Sequence, residues 1–269
     1  MSFFTAERLS ADYGGTQVLA GVSFDAKAGE MIAILGANGS GKTTLLKSIC
    51  GILPHSGTCM LNGASLDGLP PRMLARVCSY IPQRSGIGID ISALDVVLMG
   101  FNPQLKLLEQ PSRKMHEEAM LALRKVGLDE RAKDNYLCLS EGQKQLCILA
   151  RALVSQSSLL LLDEPESALD FRHRNRMISL IRRWISAGER CAIVALHDPQ
   201  LALRHCDRLV LIDHGQTTDV LCPETDDILR MEQALRRIYG NIQLVRCTDR
   251  SGGSHLVMLN EGDEDVCRA

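Results

Sequence analysis

The sequence predicts an α/β fold: a mostly parallel sheet with helices on both faces, an antiparallel β subdomain at the N-terminus and an α-helical subdomain inserted between strands. Three observations carry this expectation. Short apolar runs (Met31 to Leu35, Leu159 to Leu162, Cys191 to Leu196) have the continuous hydrophobicity of strands buried on both faces. Segments of helical periodicity separate them, as the crossovers of a parallel sheet require. Between Ser85 and Gln156 strand patterns give way to helical spacing, which marks an inserted lobe.

Taken in order, Phe3 to Tyr13 alternates like a strand, Gly14-Gly15 turns it, and Val18 to Ala26 returns as the second arm of a hairpin. Met31 to Leu35 then feeds Gly36-Ala37-Asn38-Gly39-Ser40-Gly41-Lys42-Thr43, with a helix following from Thr44. This fits G-x-x-x-x-G-K-[ST], a phosphate-binding loop, and it sets a P-loop NTPase core as the expected fold. A triphosphate carries several negative charges, and glycines let successive N–H groups point at them without Cβ interference. Lys42 adds a point charge toward the outer phosphates and Thr43 a hydroxyl for Mg²⁺, while the helix start adds its positive dipole end.

Thr58 to Gly63 is a further short strand ending in a turn; Arg72 to Arg76 is helical, and Val77 to Ile81 is a buried strand running into Pro82-Gln83. In the helical lobe, Ser92 to Met99 forms one piece. Lys114 to Val126 forms another, with Met115, Ala119, Leu121 and Leu123 on one face and Gly127 as its stop. The lobe closes with Leu139-Ser140-Glu141-Gly142-Gln143, where Ser140 is a good N-cap, and a helix from Gln145 to Val154.

Leu159 to Leu162 delivers Asp163 and Glu164 at a strand end, where open α/β sheets place ligand groups. Asp170 caps a helix whose inward face is Met177, Ile178, Ile181, Trp184 and Ile185, and the strand Cys191 to Leu196 ends on His197. A hairpin (Arg208 to Ile212, Gln216 to Val220), a helix from Ile228 to Tyr239 and two short strands (Ile242 to Val245, Leu256 to Leu259) complete the pattern. The expected organisation is one nucleotide-binding unit over residues 1–240, with its helical subdomain at about 85–156. An extension over residues 241–269 follows, with an acidic tail, Glu261 to Asp265, that is expected to fray.

A net charge of −2 and a pI near 6.4 give no electrostatic footprint for nucleic acid. Basic clusters at Arg172 to Arg176 and Arg236-Arg237 fit solvated helix faces. The ten cysteines form no C-x-x-C pair, and Cys50, Cys59, Cys78, Cys147 and Cys191 sit in apolar stretches, so buried free thiols are expected rather than disulfides or zinc. No signal-peptide pattern opens the chain, and no apolar run approaches the ~20 residues of a spanning helix. A cytoplasmic protein is expected, unless a partner holds it at a membrane. On the residues alone, Tyr13 fits either a half-buried strand tyrosine or a ring stacked on a base, and His197 either a structural histidine or a phosphate ligand.

In this order the phosphate loop, Gln83, Leu139–Gln143, the Asp163–Glu164 pair, Ser167-Ala168-Leu169-Asp170 and His197 resemble an ATP-binding-cassette (ABC) ATPase from about Phe3 to Tyr239. The pentapeptide Leu139–Gln143 is the most diagnostic, since other phosphate-loop enzymes lack it. The resemblance implies ATP and Mg²⁺ as cofactors, with Gly36, Ala37, Asn38, Gly39, Ser40, Gly41, Lys42, Thr43 and Thr44 on the phosphates and Tyr13 stacked on adenine. It implies Thr43, Gln83 and Asp163 at Mg²⁺, Glu164 as general base and His197 on the γ-phosphate, with Lys42 and Gln83 also serving the reaction. Ser140, Gly142 and Gln143 would meet the ATP of a second, antiparallel copy, so that a C₂ dimer sandwiches two nucleotides.

Two departures stand out: Glu141 where glycine is commoner and Glu166 where threonine is commoner. The stretches Val97 to Phe101, Pro111-Ser112-Arg113, Leu196 to Asp207 and Tyr239-Gly240 resemble importers of iron–siderophore, haem or cobalamin type. That implies a polytopic membrane permease as partner, a substrate-binding protein indirectly, and a peripheral location on the inner face of the cell membrane. An iron–sulfur assembly ATPase is the alternative. A DNA-repair or chromosome-structuring cassette would need a long coiled-coil or zinc insertion and a basic surface, which this chain lacks.

Overall fold

The computed structural model describes residues 2–250 and 252–260; the acidic tail expected at 261–265 lies outside them. The N-terminal subdomain is an antiparallel sheet of β1 (Phe4–Tyr13), β2 (Thr16–Ala26), β4 (Ser56–Leu61) and β5 (Ala64–Ser65), in the order β2-β1-β4-β5. Between β2 and β4 run β3 (Met31–Leu35) and α1 (Lys42–Ile49); α2 (Pro71–Val77) and β6 (Cys78–Ile81) follow the small sheet. The lobe comprises α3 (Ala93–Leu98), α4 (Arg113–Val126) and α5 (Glu141–Val154), with one 3₁₀ turn between the first two and two between the last two. Then come β7 (Leu159–Asp163), α6 (Phe171–Ser186), β8 (Cys191–Ala195), α7 (Pro199–His205), β9 (Arg208–Asp213), β10 (Gln216–Leu221), α8 (Ile228–Tyr239), β11 (Ile242–Thr248) and β12 (Ser254–Asn260).

The central sheet has the order β10-β9-β3-β8-β7-β6 and is parallel except for the β9–β10 hairpin. Period-two alternation splits β3 between two cores. Ile32 and Ile34 face α1 and the antiparallel sheet, while Met31, Ala33 and Leu35 face the lobe and the helices α6 to α8. The expectation of helices on both faces is thereby refined, since α1 and α2 share their face with the antiparallel sheet. Each fully buried Ile or Leu of these strands contributes about 1.5–3 kcal/mol of transfer free energy. Arg208 ties the two sheets together, donating to the Asp25 carboxylate at 2.9 Å, and that partner holds Asp25 below the usual carboxylate range.

Two readings shift. β4 begins two residues before the expected Thr58 and ends at Leu61, because Asn62 and Gly63, both at positive φ, form the turn. On α4 the inward face is Ala119, Ala122, Leu123 and Val126, while Leu121 is 52% exposed and Met115 only packs at the edge. Ser112, Asp170 and Asp227 cap α4, α6 and α8 through backbone N–H groups. Cys59, Cys147, Cys191 and Cys206 are buried thiols pushed up to about 12 by burial; Cys50 is only half-buried. The extension is a β11–β12 hairpin whose Ile242, Leu244 and Leu256 join the core beneath α7 and α8.

Candidate active site

The carboxyl ends of β3, β7 and β8 lie side by side in the sheet, and their loops converge on one spot. The loop after β3 needs its glycines for contact as well as for phosphate. A Cβ on Gly36 would stand 2.3 Å from the carbonyl oxygen of Ile212, and Gly41, at φ 106°, turns the chain into α1 where a side chain would press on Leu19. Lys42 is buried and donates to the carbonyls of Gly36 at 2.9 Å and Ala37 at 3.2 Å. A cavity of about 220 Å³ opens over the loop, lined by Val18, Asn38, Gly39, Gly41, Lys42, Thr43, Thr44 and Glu164.

β7 delivers the acidic pair as expected. Asp163 Oδ1 accepts from Thr43 Oγ1 at 3.0 Å, and its Oδ2 accepts from the Tyr80 hydroxyl at 3.1 Å. Burial and the adjacent carboxylate push the Tyr80 phenol up, so it stays a donor. Glu164 turns away at φ 45°, a left-handed conformation that costs a non-glycine residue about 1–3 kcal/mol and marks a site where geometry is imposed. Its Oε1 lies 3.8 Å from Lys42 Nζ, and its Oε2 accepts from Gln83 Nε2 at 2.9 Å. Gln83, at the end of β6, is itself fastened to the lobe by Gln145 Nε2, which donates to its carbonyl at 2.9 Å.

His197 follows β8 with its ring exposed, and its N–H donates to Glu166 Oε1 at 3.0 Å. Glu166 is 3% exposed, its Oε2 has no hydrogen-bond partner among the described residues, and burial raises its pKa. The departure from threonine at this position therefore anchors the backbone of the candidate phosphate histidine. Tyr13, at the far end of β1, is 66% exposed and stands outside the cavity wall, which Val18 supplies on that side.

The structure thus joins Lys42, Thr43, Gln83, Asp163 and Glu164 by direct contacts and leaves the Leu139–Gln143 element apart; no residue of that element lines the phosphate cavity. Ser140 caps α5 in a reciprocal capping box with Gln143. Glu141 is paired with Lys144 at 2.8 Å, so its negative charge is locally compensated. A Cβ on Gly142 would meet the Ala168 carbonyl oxygen at 3.1 Å. The sequence reading missed Tyr80, Gln145, Val18 and the anchoring role of Glu166. A polar ring three residues before Gln83 at a strand end was the available signal for Tyr80.

The loop, the strand-end carboxylates and the parallel sheet define a phosphate-loop nucleoside triphosphatase. Comparison narrows the class. The ABC transporter family profile matches residues 19–167. The hemin import ATP-binding protein HmuV of Vibrio parahaemolyticus is 32% identical over 246 residues, covering 90% of this chain and 92% of that protein. A probable iron chelatin transport ATP-binding protein of Helicobacter pylori is 36% identical over 208 residues, covering 77% and 82%. Among solved structures, an inward-facing metal-chelate type ABC transporter superposes with a TM-score of 0.80 at 25% identity, over 97% of this chain and 99% of that one. The chain belongs to the ABC transporter family, as an ATP-binding subunit with ATPase activity of the import type. Among the described residues no helix is long and apolar enough to cross a membrane.

Proposed function

We propose that this chain powers import of an iron–siderophore, haem or cobalamin-like chelate by hydrolysing ATP on Mg²⁺ at the β3–β7–β8 strand ends. The observation that carries the reading is the Thr43–Asp163 contact with Glu164 beside it: a hydroxyl and a carboxylate, two hard oxygen donors, fit Mg²⁺, and a second carboxylate is left for the nucleophile. Mg²⁺ neutralises charge on the β- and γ-phosphates when bound. Lys42, released from the Gly36 and Ala37 carbonyls, faces the outer phosphates, and the N–H groups of Gly39 to Thr44 cradle them. Glu164 takes the proton of the attacking water, a role typically supplying ~10²–10⁴-fold in rate. Gln83 reports the state of the site to the lobe through Gln145, and His197, fixed by Glu166, aims at the γ-phosphate. Tyr13 stacks on adenine. Residues 1–240 act as the ATPase unit and 241–269 as a C-terminal extension, whose β11–β12 hairpin packs on that unit.

Ser140, Gly142 and Gln143 complete the site of a second copy. The surface from Gln83 through Arg84 to Met99 receives short cytoplasmic helices of a membrane permease, which holds the chain at the inner face of the membrane. The names of the relatives favour this over iron–sulfur cluster assembly. The test is Glu164→Gln. The variant should bind Mg-ATP as a closed dimer on size exclusion, hydrolyse at least ~100-fold more slowly, and abolish uptake of at least one of haem, an iron–siderophore and cobalamin when it replaces the native chain in cells. Near-normal turnover by the variant would overturn the base assignment, and uptake of all three substrates unchanged would overturn the substrate class.

A further inference from the structure

A second set of donors lies away from the nucleotide site, on the antiparallel subdomain. His55 stands in the loop between α1 and β4, Cys59 is the first inward-facing residue of β4, and Asp67 follows β5. The β4–β5 hairpin brings the last two together: Asp67 Oδ2 accepts from the Cys59 N–H at 3.0 Å, and Leu66 N–H donates to the Cys59 carbonyl at 2.8 Å. The Pro54-His55-Ser56 entry to β4 then lays the imidazole over both. One ligating atom from each residue, the imidazole nitrogen, the thiol sulfur and a carboxylate oxygen, lies within 4.8 Å of the other two.

The outer contacts orient these atoms as a coordination site needs. His55 Nδ1 is 3.3 Å from the Ser56 carbonyl oxygen, which can only accept, so Nδ1 is the donor there and Nε2 is the nitrogen left to face Asp67 and a cation. Asp67 commits Oδ2 to the Cys59 N–H and leaves Oδ1 facing the imidazole, with Nε2 at 3.5 Å. Bonds of about 2.0–2.3 Å in a tetrahedral zinc site set neighbouring ligand atoms roughly 3.3–3.7 Å apart. The nitrogen–oxygen edge already has that spacing, and the sulfur closes the triangle with a movement of about 1 Å, within reach of a side-chain rotation. A backbone carbonyl behind the histidine and an N–H behind the carboxylate are the outer partners that fix metal ligands in place. The ligands also have an entry path. A groove of about 650 Å³ is lined by His55 and Asp67, with Cys50 and Cys78 further along its wall.

We propose that His55, Cys59 and Asp67 bind one borderline divalent cation, of which zinc is the type, with water from the groove as fourth ligand. The mixed nitrogen, sulfur and oxygen set separates it from the all-oxygen Mg²⁺ position proposed at Thr43 and Asp163. On binding, the Cys59 thiol proton leaves to solvent and the thiolate donates its electron pair to the ion, with no change of oxidation state. The ion pins the loop after α1 to the β4–β5 hairpin, so it cross-links the phosphate-loop helix to the antiparallel sheet.

The test uses the reduced, nucleotide-free full chain, with Zn²⁺ as the probe in competition against a chromophoric chelator. A background variant with Cys138 and Cys247, the two exposed thiols among the described residues, and Cys267 of the tail replaced by serine removes competing thiols. In that background one zinc should bind per chain, and His55→Ala and Cys59→Ser should each weaken it at least tenfold. Zinc should raise the melting temperature of the background protein and leave that of His55→Ala unmoved. Co²⁺ should give a thiolate charge-transfer band that Cys59→Ser removes. Because His55 is at the groove rather than in the core, its variant keeps the test valid even if Cys59→Ser folds poorly. No zinc bound, equal affinity in His55→Ala, or a cobalt band that survives Cys59→Ser would each overturn the proposal and leave an ordinary His55–Asp67 ion pair.

Discussion

The phosphate loop and the Leu139–Gln143 element both open a helix and are both proposed to meet the phosphates, yet they are finished to different degrees. Around the loop the reactive side chains are held from other elements: Thr43 by Asp163, Lys42 by Glu164, and Gln83 by Glu164 and, through its carbonyl, by Gln145, while Ser40 Oγ is buried with no hydrogen-bond partner among the described residues. Gly36 is pressed on the Ile212 carbonyl, and Glu164 is held at positive φ. At the start of α5, Ser140 is exposed and its capping needs are met locally by Gln143. A side chain on its neighbour Gly142 would meet the Ala168 carbonyl and the Leu169 side chain. One element is enclosed by its own chain and the other faces outward. The phosphate-loop side is therefore preorganised within a single chain, while the start of α5 faces outward, as the proposed role in the site of a second copy requires.

The largest effect that would sharpen this contrast is expected from Gly36→Ala. The added methyl would overlap the Ile212 carbonyl and Ser40 Oγ, at 2.3 and 2.4 Å, so the loop must shift at a cost of about 1–3 kcal/mol. ATP binding measured by calorimetry should be lost or fall at least tenfold. Gly142→Ala, with the Ala168 oxygen at 3.1 Å, should leave the isolated chain's stability and nucleotide affinity nearly unchanged. Equal losses from the two substitutions would break the comparison.

A smaller, pH-dependent effect is expected at Glu166. Burial raises its pKa, so the folded chain holds this proton more tightly than the unfolded chain does. Stability from this group is then fully present below the ordinary glutamate range and is lost as pH rises through the raised value. Glu166→Gln removes the charge while keeping an acceptor for the His197 N–H, so its melting temperature should gain on the native chain as pH rises from about 4 toward neutrality. A difference that stays constant with pH would mean the buried carboxylate is already compensated.

Tyr13→Ala should give the smallest effect, a loss of about 1 kcal/mol in binding, equal for ATP and ADP because the ring sees only the base. A loss confined to ATP would place the ring near the phosphates instead.

How much was legible follows the same division. The enclosed half was written in local pattern: apolar runs ending in glycines, lysine or carboxylates fix both strand and site, and Asp163 and Thr43 meet as their positions implied. Contacts made across the sheet by residues with no motif of their own were not legible. Tyr80 reaching Asp163 and Glu166 anchoring His197 depend on which strands become neighbours, Gln145 holding Gln83 depends on how α5 packs against the end of β6, and both the β8-β7-β6 order and that packing are tertiary outcomes. The face of α4 was misjudged at Leu121 because a helix packed on only part of its circumference leaves some apolar residues outside. For the α5 start, the motif was plain, but its purpose came from resemblance, since nothing in one chain says what an outward-facing helix end will meet.

The central claim is that the outward-facing half completes the site of a second copy. Specific ATPase activity, followed at saturating Mg-ATP over a concentration series that spans monomer and dimer by sedimentation, tests it most directly. The account predicts activity that rises with the dimer fraction in the native chain and stays at background in Ser140→Arg at every concentration, although that variant still binds ATP. Activity that stays flat down to concentrations where the chain is demonstrably monomeric would contradict it, because a single copy would then be hydrolysing ATP with no help from Ser140 or Gly142 of another.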